Sequence, residues 1–140
     1  MTYSENQDKI LQIENLKTYY PVYEGIFNKL KHYVKAVNGV DFFLREQETL
    51  GLVGESGCGK STLARTLMRG EDVHAGDIRL KKDARWENIV DYNQQEMKRI
   101  RQDMQMIFQD PFSSLNSRMT VRDIIGEPLK INKIASGKEL

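Results

Sequence analysis

Residues 54–62 of this chain read Gly54-Glu55-Ser56-Gly57-Cys58-Gly59-Lys60-Ser61-Thr62. Their spacing fits the pattern G-x-x-x-x-G-K-[ST], and they stand between an apolar run, 49–53, and a helical run, 63–68. Because such glycines let the backbone curl around an anion, successive N–H groups and the positive end of the following helix face phosphate oxygens. The stretch therefore predicts a phosphate-binding loop, and the full pattern with its flanks disfavours a glycine-rich turn that binds nothing.

Different residues of this loop are expected to bind different parts of a polyphosphate and its metal ion. All of residues 54–62 are candidate nucleotide contacts, and Lys60 adds a compact charge for the β- and γ-phosphates. The hydroxyl of Ser61 is the expected first protein ligand of Mg²⁺, while Thr62 would anchor the start of the helix. Cys58 is the one cysteine of the chain, and it is read as a small loop residue without a redox role.

Composition limits the class of protein. The length of 140 residues suits one domain, and 21 basic against 20 acidic residues give no sign of bulk nucleic-acid or membrane-surface binding. Any partner must therefore be argued locally. No apolar run approaches the roughly 20 residues that span a bilayer, and the polar, acidic N-terminus does not resemble a signal peptide. We expect a cytosolic protein that does not bind nucleic acid.

Hydrophobic periodicity predicts an α/β fold in which an antiparallel β subdomain precedes the core. We expect residues 1–9 to be disordered and 10–140 to form the folded part. The expected strands are 10–16, 34–37, 40–44, 49–53, 77–80 and 104–108, with 49–53 as a buried parallel strand. The expected helices are 60–69, 93–101 and 119–129, the last capped by Thr120 and interrupted by Pro128. Pro21 and Gly25 predict a loop over 19–33, and Asn38-Gly39 a turn.

Three phrases of the sequence stand out: Val34-Lys35-Ala36-Val37-Asn38-Gly39-Val40, the run from 49 to 63, and Met104-Gln105-Met106-Ile107-Phe108-Gln109-Asp110-Pro111-Phe112-Ser113-Ser114-Leu115-Asn116. They resemble the ATP-binding subunits of ABC transporters, and among these the subunits of oligopeptide and dipeptide importers. The long segment between Tyr19 and Val34 is similar to that of the F-type subunit. The resemblance implies a nucleoside triphosphatase core of the phosphate-loop class that works with ATP and Mg²⁺.

The resemblance also implies roles for residues outside the loop. Gln109 matches the glutamine that ligates Mg²⁺ and contacts the attacking water, which makes it a catalytic candidate beside Lys60. Tyr20 matches the aromatic residue that stacks on adenine, with Tyr19 as the alternative. Residues 112–118 match the surface that receives a membrane-embedded permease. The implied partners are that permease and a second ATP-binding subunit, at the inner face of the cell membrane.

The resemblance covers only the first half of the family's domain. Nothing in 115–140 resembles the family's Leu-Ser-Gly-Gly-Gln signature, its strand ending in Asp-Glu or its switch histidine. His32 and His74 precede Gln109 in segments expected to be loops, so we expect surface residues there. Two hypotheses stay open: a subunit, or part of one, that couples ATP hydrolysis to peptide import, and a catalytically inactive nucleotide-binding fragment. A GTPase is disfavoured because Asn132-Lys133-Ile134-Ala135 lacks the aspartate of the Asn-Lys-x-Asp motif.

Two smaller departures from the family bear on stability. Gln47 stands where the family has a turn glycine, and Gly70-Glu71 replaces an apolar pair after the first helix. In the family, strands of the second half lie beside the 49–53 strand. We therefore expect this chain by itself to leave strand edges open, and to be unstable or to associate.

Overall fold

The computed structural model describes residues 8–108 and 115–137. The chain divides into two compact units, Met1–Gln105 and Met106–Leu140. The first contains a four-stranded antiparallel sheet with two α-helices, and the second contains one α-helix within its described part. The expected mixed α/β fold with an N-terminal antiparallel β subdomain is confirmed.

A long β-hairpin dominates the first unit. Strand β1, Lys9–Glu24, pairs antiparallel with strand β2, Lys29–Arg45, around a turn at 25–28. The expectation of a loop over 19–33 was wrong, as was the turn at Asn38-Gly39, which lies inside β2. The sheet tolerates Pro21 because β1 has a strand on only one side at that point. The pairing of β1 with the strand at Ala75–Lys82 ends at Lys17, so the missing N–H of Pro21 removes no hydrogen bond to that strand.

Two shorter strands complete the sheet in the order β2-β1-β3-β4. Strand β3, Ala75–Lys82, pairs with β1 and extends the expected strand 77–80. Strand β4, Arg85–Asn88, was not expected. It follows a two-residue turn in which Asp83 and Ala84 both have positive φ, 48° and 64°. The sequence signal was weak because such turns usually carry Asn-Gly or Asp-Gly.

Both helices of the first unit pack their apolar side chains into one core. Helix α1 is Lys60–Leu67, and helix α2 is Gln94–Asp103, which follows a short 3₁₀ helix at Ile89–Asp91. Asn93 and Glu96 form a capping box that fixes the start of α2. The buried apolar core comprises Leu11, Ile13, Leu16, Val37, Leu63, Ile78, Ile89, Met97 and Ile100.

The expected buried strand at 49–53 is not formed. Leu50, Leu52 and Val53 are 49%, 52% and 90% exposed, and within the described residues no strand pairs with this segment. Beside it lies an apolar cavity of about 600 Å³, lined chiefly by side chains of β2, α1 and this segment. An apolar run becomes a buried strand only when neighbouring strands supply its hydrogen-bond partners and helices or a second sheet cover its faces. The expected strand at 104–108 is also absent, and Ile107 is exposed.

The second unit contains helix α3, Val121–Ile131. Its expected cap is confirmed, since the hydroxyl of Thr120 accepts a hydrogen bond from the amide of Asp123. The expected interruption at Pro128 was wrong. The helix continues for three residues past the proline, and the amide of Asn132 donates to the Pro128 carbonyl at 3.0 Å. Among the described residues, no helix is both long enough and apolar enough to cross a membrane.

Candidate phosphate-binding site

The loop at 54–62 reverses the chain and delivers it into helix α1. Gly59 caps the helix in a left-handed conformation, φ 95°, and its carbonyl accepts from the amide of Leu63 at 2.8 Å. Earlier in the loop, the amide of Cys58 donates to the Glu55 carbonyl at 3.3 Å, and Gly57 has φ 81°. Two left-handed positions so close together favour glycine and give the bend that the sequence predicted.

Strand β2 fixes the position of the loop. A Cβ atom built on Gly59 would lie 2.3 Å from the carbonyl oxygen of Ala36, which is far inside contact distance. A side chain at this position would therefore push the loop away from the hairpin. Sequence reasoning missed the contribution of Ala36, although Ala36 lies in one of the phrases that carry the family resemblance.

Lys60 folds back over the mouth of the loop. Its Nζ donates hydrogen bonds to the carbonyl oxygens of Gly54 at 2.7 Å and Glu55 at 2.6 Å, and lies 3.5 Å from Cys58 Sγ. The ammonium is thereby held inside the bend by main-chain acceptors and not by a carboxylate. Because these carbonyls do not neutralise its charge, the bend carries a positive charge that could attract a phosphate anion.

The first turn of α1 suits an anion with a bound Mg²⁺. This turn, which the structure describes in full, carries no acidic side chain to oppose an anion. Ser61 is exposed, so its hydroxyl is open to a metal ion that keeps several waters, whereas Thr62 is half-buried. In the described part of the chain no group of three or more His, Cys, Asp or Glu side chains forms a separate metal site.

A buried hydrogen bond ties α1 to the hairpin behind the loop. The hydroxyls of Thr18 and Thr66 lie 2.9 Å apart, and Thr66 also donates to the Thr62 carbonyl at 2.8 Å. Thr18 therefore faces α1. Alternation along a strand would put Tyr20 on this same side of the hairpin, although the pairing register shifts between Thr18 and Tyr19. Its strand partner, Val34, is two residues from Ala36, which touches the loop.

Tyr19 has a different environment. Its ring packs against His74, with ring centroids 4.3 Å apart, and against Tyr33 at 6.3 Å. Its hydroxyl donates to the side-chain oxygen of Asn38. Sequence reasoning did not foresee this cluster. His74 precedes β3 and His32 lies within β2, and both are exposed as expected, although His32 lies in a strand and not in a loop.

Gln109 lies outside the described residues, as do 112–114 of the segment matched to the permease-facing surface. Of that segment the structure describes 115–118, and all four residues are exposed. The structure therefore describes three parts of the expected site: the loop, the hairpin and α1.

Comparison with known proteins shows which family the chain belongs to. A family model described as ABC transporter matches residues 37–139, which include the loop at 54–62. The chain belongs to the ABC transporter family.

Individual relatives agree with this assignment. The chain is 42% identical to the oligopeptide transport ATP-binding protein AppF of Bacillus subtilis, over 96% of this chain and 40% of that protein. It is 44% identical to the oligopeptide transport ATP-binding protein OppF of Lactococcus lactis, over 87% of this chain and 37% of that protein. The glutathione import ATP-binding protein GsiA of Pectobacterium atrosepticum is 39% identical over 99% of this chain and 22% of that protein. The chain spans about two fifths of the length of the first two relatives.

Proposed function

We propose that this chain binds Mg-ATP through residues 54–62 and provides the nucleotide-binding part of an ABC importer of peptides or similar solutes. Residues 10–140 would form the N-terminal portion of the ATP-binding domain. The observation that carries the proposal is the position of Lys60, whose ammonium is fixed inside a glycine bend at the start of α1. In this arrangement the ammonium and the amides of the helix start would bind the phosphate chain together.

Each remaining part of the site has a proposed role. Ser61, with Gln109, would ligate Mg²⁺, which neutralises charge on the phosphates when it is bound. Lys60 and Gln109 would serve the hydrolysis step, and the other loop residues would hold the nucleotide. Tyr20 would stack on adenine, because strand alternation would put it on the α1 side of the hairpin while Tyr19 is engaged with His74. The partners would be a membrane-embedded permease and a second ATP-binding subunit, with the protein peripheral to the inner face of the cell membrane.

Titration of the full chain with a fluorescent ATP analogue in the presence of Mg²⁺ tests the proposal. Lys60→Ala should weaken binding about tenfold or more, since a charge-assisted contact to phosphate is lost. Lys31→Ala is the matched control, because Lys31 is a surface lysine ion-paired with Glu24 at the far end of the hairpin. Equal affinities of the Lys60→Ala variant and the parent would refute nucleotide binding at this loop.

The same titration, repeated with inorganic triphosphate, tests the adenine platform. Tyr20→Ala should weaken binding of ATP but leave triphosphate affinity unchanged, while Tyr19→Ala should change neither. The reverse pattern would assign the stacking role to Tyr19.

Phosphate release separates the two hypotheses that the sequence left open. Binding of Mg-ATP with no release by the full chain favours the inactive nucleotide-binding fragment. Release that Lys60→Ala abolishes favours a hydrolytic subunit.

A further inference from the structure

The hairpin extends well beyond the sheet as a two-stranded arm, defined here as residues 19–35. The pairing of β1 with β3 ends at Lys17, and further along the arm the two strands pair only with each other within the described residues. Every residue from 23 to 35 is exposed. An isolated two-stranded ribbon is marginal in water, so an arm of this length is expected to gain stability from a surface that it meets.

The end of the arm is apolar. Ile26 and Phe27 occupy the turn and are 99% and 85% exposed, and Leu30, on the adjoining strand, is 47% exposed. Adjacent large hydrophobic side chains at a turn tip are costly to leave in water, and such exposed groups mark interaction sites. Because these side chains stand at the end of a two-stranded ribbon, they can enter a soft, flat layer without a preformed pocket.

Aromatic and basic side chains follow behind the tip. Tyr23, paired with Leu30, and Tyr33, paired with Pro21, are both partly exposed. Between and around them the arm carries Lys29, Lys31 and Lys35 against one acidic residue, Glu24. The chain as a whole has a formal net charge of only +1, so this excess of positive charge is local. Behind the apolar tip, lysines and tyrosines thus alternate along the arm, beginning with Lys29 beside the turn. Tyrosine suits the interfacial layer of a bilayer and lysine suits its anionic headgroups, so the composition of the arm matches such a surface.

We propose that the arm docks on an anionic phospholipid surface, with Ile26 and Phe27 inserted at the acyl boundary and the lysines among the headgroups. Long lysine side chains can extend their charge toward phosphates while their methylene stems cover apolar surface. The inference goes beyond the proposed function, and it requires neither nucleotide nor permease. In an assembly the arm would add a second, weak attachment to the membrane.

Vesicle flotation of the full chain tests the inference. Vesicles of phosphatidylcholine mixed with phosphatidylglycerol should carry the protein upward, and vesicles of phosphatidylcholine alone should carry much less. The double variant Ile26→Asp/Phe27→Asp should lose about tenfold or more in partitioning. Lys29→Gln should lose roughly fivefold, and only on the anionic vesicles, whereas Lys31→Gln should lose less because Lys31 is ion-paired with Glu24. Added salt should weaken binding of the parent.

Two controls separate this interaction from adsorption through other apolar surfaces. Leu50→Asp/Leu52→Asp alters a second exposed apolar pair, outside the arm, and should leave flotation unchanged. Lys60→Ala should also float like the parent, so that failure of nucleotide binding and failure of lipid binding are distinguishable. Circular dichroism of each variant confirms that the fold is retained.

A depth measurement completes the test. In a Trp86→Phe background, Phe27→Trp places the single tryptophan at the tip, and its emission should shift to the blue on anionic vesicles and be quenched by brominated lipid. An unshifted spectrum, or flotation that Ile26→Asp/Phe27→Asp does not reduce, would overturn the proposal. That result would favour an acidic protein surface as the occupant.

Discussion

Single residues determine the shape of the phosphate loop, and Gly59 is the most constrained of them. It needs a left-handed backbone, and it also has the carbonyl of Ala36 within 2.3 Å of any added Cβ. Gly57 shares the left-handed backbone, but a Cβ there would meet nothing within 4 Å. The two positions therefore separate the cost of backbone conformation from the cost of a steric clash.

Gly59→Ala should be the more harmful of these two substitutions. We expect Gly57→Ala to lower the free energy of unfolding by about 1 kcal/mol through left-handed strain alone. Gly59→Ala should lower it by about 2 kcal/mol more, because the loop or β2 must shift, and it should weaken Mg-ATP binding as well. Urea unfolding of both variants measures the difference. Equal losses would mean that the contact with Ala36 is not close in solution.

A second residue shows where this chain departs from its relatives. Gln47 has φ 59°, a left-handed conformation, at the position where the family resemblance led us to expect a turn glycine. Gln47→Gly should therefore raise the free energy of unfolding by about 0.5 kcal/mol, the relief of strain exceeding the added flexibility of the unfolded chain. Glu46→Gly, at a neighbour without positive φ, should lower it. Two changes of the same sign would contradict the turn geometry.

Sequence patterns predicted secondary-structure elements correctly where residues close in sequence determine the element. The spacing of glycines and Lys60 located α1 and the loop, and Thr120 marked the start of α3. The patterns failed where the element depends on pairing with a strand that is remote in sequence. Pro21 and Gly25 suggested a loop, yet the pairing of β1 with β2 continues past the proline to Glu24. The apolar run at 49–53 suggested a buried strand, yet the sequence does not reveal whether neighbours are present to pair with it.

Helix α1 is joined to strand β1 by the buried hydrogen bond between the hydroxyls of Thr66 and Thr18. Thr66→Val should lower the free energy of unfolding by about 1–3 kcal/mol, since it leaves the Thr18 hydroxyl buried without this partner. Thr18→Val should cost less, because Thr66 keeps its bond to the Thr62 carbonyl. The double variant should cost less than the sum of the two. Strict additivity in this double-mutant cycle would show that the hydroxyls do not interact.

At the scale of the whole molecule, the exposed segment 49–53 and the adjoining cavity are the dominant feature. Leu50 and Leu52 of this segment are exposed beside the half-buried Val40 and Phe42, and the net charge of +1 offers little repulsion between copies. Burial of such surface is favourable, so the full chain should self-associate as its concentration rises. We therefore expect copies of the chain to associate through segment 49–53 and the adjoining cavity.

Sedimentation velocity over a concentration series tests this expectation. The parent should shift to larger species as concentration rises, and Leu50→Asp/Leu52→Asp should shift much less. Ile26→Asp/Phe27→Asp, at the end of the arm, serves as the control that should still associate. A chain that stays monomeric throughout the series would contradict the prediction.

The central claim is that the amides of one glycine bend, with Lys60, hold the phosphates of ATP. Hydrogen exchange of the full chain, followed by mass spectrometry with and without Mg-ATP, tests it most directly. We predict slower exchange confined mainly to 54–62 and the start of α1, with residues 23–35 unaffected and with much less slowing in Lys60→Ala. Unchanged exchange across 54–62 at saturating Mg-ATP, or equal protection in Lys60→Ala, would contradict the claim.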